Sequence, residues 1–141
     1  MILFLRALFV LILLAMSWGT VRASLAQALF DIPPEVYRNP WFQVTLLDAY
    51  FAFLTFFVWV AWKETRLATR VLWGVAILLW GNFAMAAYLL RELFRISADA
   101  DLALVFATRR DGGLRWPVAF VVVGVAVYLL GAKNLLFPSS S

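Results

Sequence analysis

One carboxylate stands well inside an apolar run. Asp48 lies about a third of the way into WFQVTLLDAYFAFLTFFVWVAWKE, the stretch from Trp41 to Glu64. An acid in such a place can hold or pass a proton, or bond across to another helix. An ionisable side chain within a span costs at least ~2.5 kcal/mol on insertion scales, which makes it a candidate functional residue. Thr45, Asp48, Ala52, Thr55, Trp59 and Trp62 follow one another at steps of three and four, so they share one side of a helix. That side is small and polar for most of its length. Counted from the loop that begins this helix and ends the next, Asp48 and Asn82 both lie roughly 10–13 Å deep at ~1.5 Å per residue. Ser17 and Thr20 fall in the same half of the bilayer. The expectation is a polar layer in one leaflet, centred on Asp48, with Asn82 as its hydrogen-bond partner and Thr45, Ser17 and Thr20 beside it. The competing expectation is that Asp48 only ties helices together, at about 0.6 kcal/mol per bond.

The chemistry excluded is as informative. The chain has no histidine and no cysteine, which removes the usual metal and haem ligands, the usual general base near neutral pH and any disulfide framework. Asp99-Ala100-Asp101 begins like a calcium loop, but no glycine and distal glutamate follow at the required spacing. No metal site is expected. A net charge of +4 could suggest nucleic acid. The basic residues instead sit at the ends of apolar runs, where membrane proteins keep them, so no nucleic-acid partner is expected.

The elements that must position Asp48 are helices in lipid. The chain is 65% hydrophobic and 14% charged, more apolar surface than a compact core of this size can hide. The expected fold is an all-α polytopic membrane protein, one domain over 1–141, with four transmembrane helices in an antiparallel bundle. They are placed at about residues 2–23, 41–62, 71–90 and 116–137. The first also fits a secretory signal ending Val21-Arg22-Ala23, with retention favoured. Residues 91–115 form a polar connector in which Asp99 and Asp101 start a short interfacial helix. Its Leu102, Val105 and Phe106 share one face, and Arg109 and Arg110 close its end. Gly74 and Gly81, and again Gly124 and Gly131, stand seven residues apart, as small residues do on close-packing helix faces. Four crossings would put both termini on the side of the Lys63–Arg70 turn, taken as cytoplasmic in a bacterial inner membrane.

The stretches NPWFQVTLLDAYFAFLTFFVWVAWKE and GNFAMAAYLLREL resemble a small bacterial membrane family, the domain of unknown function 1475, over about residues 1–95. The core Leu46-Leu47-Asp48-Ala49-Tyr50-Phe51 carries the likeness, and Ala52 stands where the family pattern has glycine. The resemblance implies three helices and no established activity. The fourth helix then looks like an extension, suited to docking a partner. A looser similarity to terpene-cyclase-like small membrane proteins implies Asp48 and Glu64 as acids. A protonated carboxyl in an apolar pocket can start polyene cyclisation, but Glu64 is expected at the membrane surface opposite Asp48.

The function expected is that of a non-enzymatic accessory or scaffolding subunit of a larger membrane complex. Its faces would pack against other integral subunits, membrane lipid, or a bound carotenoid or isoprenoid. The alternatives are a small proton-coupled carrier using Asp48 and a membrane-embedded terpene or polyisoprenoid cyclase with Asp48 as general acid.

Overall fold

The computed structural model describes residues 1–132. Its helices are α1 (Ile2–Ala26), α2 (Pro34–Arg38), α3 (Pro40–Lys63), α4 (Leu67–Trp80), α5 (Asn82–Leu93), α6 (Ala103–Ala107) and α7 (Arg115–Gly131), with a 3-10 turn at Leu29–Asp31. The fold is all-α. Two helices, α1 of 25 residues and α3 of 24, are long and apolar enough to cross a membrane.

Local chemistry explains the boundaries of α3. The Asn39 side chain accepts from the Trp41 and Phe42 amides at 2.9 and 3.2 Å, capping the first turn. Pro40 fits the first helical position because its missing N–H would have no partner there. At the far end the chain leaves the helix at Glu64 in an extended conformation, and Thr65 pairs with Arg110 across the loop (3.2 Å).

The expected single helix over 71–90 is divided into two. Gly81 has φ +51° and ψ −123°, a conformation open in practice only to glycine. There the chain turns back on itself. The rings of Trp73 on α4 and Tyr88 on α5 lie 4.9 Å apart, edge to face, whereas fifteen residues of continuous helix would separate them by about 22 Å. The α4–α5 hairpin reaches only as far as Phe53, near the middle of α3, whose ring lies where a Gly81 Cβ would stand.

The other helices surround this hairpin. α1 packs along α5, α7 along α4, and α3 along both. The core is Val60, Trp73, Ala76, Ile77, Ala84 and Tyr88, with a smaller cluster of Ile2, Leu93 and Val105 under the connector. The short helix of the 91–115 connector is α6, and its Val105 points inward, 1% exposed, while Leu104 and Phe106 stay outside. α7 starts beside Glu64, through Gly112, and ends where Gly131 meets Phe30. Its last described turn therefore lies at the end of the molecule opposite the start of α1. Four traverses of the fold would instead bring the end of α7 back beside the start of α1; the hairpin uses two elements without traversing the fold. The expected 116–137 helix is seen as Arg115–Gly131, and 133–137 lie outside the described residues.

Candidate functional site

The charged residues that close α3 and α5 meet in the interior. Lys63 and Glu64 end α3 and are each 1% exposed, and Glu92 in the last turn of α5 is 2% exposed. Lys63 Nζ lies 3.1 Å from Glu92 Oε2. It also donates to the carbonyls of Val105 and Thr108, at 2.8 Å to the latter. Arg91 Nη2 bridges the two acids, 2.5 Å from Glu64 Oε1 and 3.0 Å from Glu92 Oε1. Arg95 adds a third cation, 2.7 Å from Glu92 Oε1. Glu64 is completed by the Tyr88 hydroxyl (3.1 Å) and the Gly112 amide (2.8 Å). A Cβ on Gly112 would fall 2.5 Å from the Glu64 carboxylate, so only glycine lets the loop come so near.

An aromatic floor isolates this network. Trp73, Trp59 and Phe56 surround the Tyr88 ring edge to face, at 4.9, 5.6 and 6.2 Å. The Arg91 guanidinium stacks over Tyr88 at 4.7 Å and Trp73 at 5.3 Å. The segment from α6 to Gly112 forms the lid: the Trp59 indole donates to the Phe106 carbonyl, and Arg109 donates to the Trp62 carbonyl. Burying so many charges is tolerable only where nearly every lone pair and proton is matched. Most are, so the first consequence of the site is mechanical, since it ties the open end of the hairpin to the end of α3. It also carries three cations, Lys63, Arg91 and Arg95, against two carboxylates.

The expected polar layer assembles differently. Asp48, Asn82, Thr45, Ser17 and Thr20 are all exposed, and no hydrogen bond joins Asp48 to Asn82. Thr45 donates to the Trp41 carbonyl of its own helix (2.8 Å), as Thr55 does to that of Phe51. Trp59, expected on the same stripe, turns inward against Tyr88. From Thr45 to Thr55 the stripe lies on the outer side of α3 because the aromatic side faces the hairpin. There Phe57 and Phe53 fill the notches left by Gly74 and Gly81, where a Cβ would lie 2.9 and 2.5 Å from a ring carbon. In lipid, helices are held by close van der Waals fit, and the rings seated in these notches supply more of it than Thr or Ala could, so this face takes the contact. Gly124 makes a third notch, with the Trp80 indole 2.6 Å from where its Cβ would be. Gly131 is exposed and faces Phe30. Glu64 does stand at the end of α3 far from Asp48, as expected.

Lys63, Tyr88, Arg91 and Glu92 are not among the expected site residues, and Glu64 is expected only as an acid implied by the terpene-cyclase likeness. A continuous helix over 71–90 carries Arg91 to the other end of the molecule from Lys63. The available signals were a Gly-Asn pair in the middle of an apolar run and adjacent opposite charges at both Lys63-Glu64 and Arg91-Glu92.

Comparison with known proteins accords with the likeness drawn from the Asp48 core. The family model described as protein of unknown function (DUF1475) matches residues 2–135, and the chain belongs to that family. The match runs through α7, so the last helix is part of the family pattern and not an extension. No curated protein and no solved structure matches the chain.

Proposed function

We propose that this DUF1475 member is an integral subunit of a larger assembly in the bacterial cytoplasmic membrane. It would cross the bilayer with α1, α3 and α7 and dip into it with the α4–α5 hairpin. The observation that carries the reading is the outward placement of Asp48. An exposed carboxylate about a third of the way into a spanning helix has no described partner, and lipid offers it none. A neighbouring helix that brings a hydrogen-bond donor or a cation would satisfy it, and the small side chains of Thr45, Ala52 and Thr55 allow that helix close. A second copy related by a twofold axis through this face would set Asp48 against Asp48, so a different membrane protein is the better occupant.

The arrangement of basic residues supports an orientation. Arg6, Lys63, Arg66, Arg70, Arg91, Arg95, Arg109, Arg110 and Arg115 gather at the end where α1 begins, and Arg22 and Arg38 lie at the other. With a hairpin that returns to its own side, the positive-inside rule puts the charge network at the cytoplasmic face.

The experiment is site-specific photocrosslinking in native membranes from Ala52, followed by purification in mild detergent. The expected result is one heterologous membrane-protein adduct, weakened by Asp48→Leu and retained by Asp48→Asn. A protein that yields only self-adducts, or none, while remaining folded would contradict the reading.

A further inference from the structure

A cavity of about 470 Å³ opens beside the charge network. Its walls include Leu13 of α1, Trp73 of α4, Arg91 and Arg95 at the end of α5, and Trp116 and Phe120 of α7. Two of these side chains are almost wholly buried and hold a nitrogen without a partner among the described residues. They are Arg91, 8% exposed, with Nη1 free, and Trp73, 1% exposed, with Nε1 free. Such donors are costly to leave unmatched. The neighbouring cluster also has one cation more than it has carboxylates. Charge and donors thus both call for an anion with several acceptor oxygens, the match a planar guanidinium makes best. The remaining walls are apolar and aromatic, and Trp116 at the rim is exposed, as interfacial tryptophans are.

We propose that this cavity binds the phosphate head of an anionic phospholipid at Arg91, Arg95 and Trp73, with its acyl chains running between α1 and α7 along Leu13 and Phe120. The inference uses the membrane reading above but not the partner subunit. Lipid supplies a free anionic headgroup at the depth where the network lies, and the gap between α1 and α7 lets chains enter sideways.

Native mass spectrometry of the full chain in mild detergent, titrated with phosphatidylglycerol, phosphatidylcholine or inorganic phosphate, tests it. The expected result is one bound phosphatidylglycerol, preferred about tenfold or more over phosphatidylcholine. Arg95→Gln, which alters the more exposed arginine, should reduce that preference. Leu13→Trp, which narrows the cavity without touching a charge, should reduce occupancy by a similar factor. Circular dichroism would verify that both variants stay folded. Equal binding of the two lipids, no effect of either folded variant, or binding of inorganic phosphate as tight as that of phosphatidylglycerol would overturn the proposal. None of these outcomes depends on an Ala52 adduct, so the two readings fail separately.

Discussion

Lys63 and Glu92 form a buried ion pair at 3.1 Å although α4 and nearly all of α5 lie between them in the chain. Their meeting requires the hairpin, and the hairpin requires Gly81. The pair therefore reports directly on the fold.

Removing one side of this network strands the other. Glu92→Gln leaves Lys63, Arg91 and Arg95 facing a single carboxylate, and loss of one partner of a buried pair typically costs about 3–5 kcal/mol. Lys63→Met alone should cost a similar amount. The double variant should cost clearly less than the sum, since it leaves fewer unmatched charges. Reversible unfolding in mixed micelles measures all three, and strict additivity would argue against a coupled pair.

Acid should loosen the same end of the molecule. Burial pushes the Glu92 carboxyl up, but the charges of Arg91, then Lys63 and Arg95, outweigh it and hold it below the ordinary 4.5. The unfolded chain then takes up the proton more readily than the folded one. The stabilisation is complete above the ordinary value and is lost as pH falls through it and below. Unfolding midpoints from about pH 7 down to about pH 3 should drop, and drop less in Glu92→Gln. A rise in stability on acidification would contradict this assignment.

The two hairpin glycines should respond differently to relief of crowding. At Gly74 an added Cβ meets only the end of the Phe57 ring, at 2.9 Å, so trimming Phe57 to Leu should rescue much of Gly74→Ala. At Gly81 the positive φ remains whatever Phe53 becomes. Gly81→Ala should cost about 1–3 kcal/mol from the backbone alone, with no rescue by Phe53→Leu. Thermal stability of the four variants in detergent distinguishes the sites.

The long apolar runs made α1, α3 and the described part of α7 legible in the sequence, because hydrophobic length depends on no distant contact. The hairpin was not legible. Val71 to Leu90 has the length of one crossing, and a glycine there suits close packing as well as it suits a reversal. What decides between them is the tertiary fit of Phe53 and Phe57 against α4. The periodicity through Asp48 groups Thr45, Asp48, Ala52 and Thr55, which are all exposed, with Trp59, which packs against Tyr88, and it does not say which side of the helix meets protein. Lys63-Glu64 and Arg91-Glu92 look like ordinary solvated helix ends until the reversal at Gly81 brings them together.

Single-cysteine labelling tests the hairpin most directly, since the chain has no cysteine of its own. Ala68→Cys at the start of α4 and Ala98→Cys beyond the end of α5 are both at exposed positions. In oriented membrane vesicles, a membrane-impermeant maleimide should label the two from the same side, the cytoplasmic one, while Ala28→Cys labels from the other. Labelling of Ala68→Cys and Ala98→Cys from opposite sides would mean that 71–90 crosses the membrane as one helix, and would contradict both the hairpin and the site built on it.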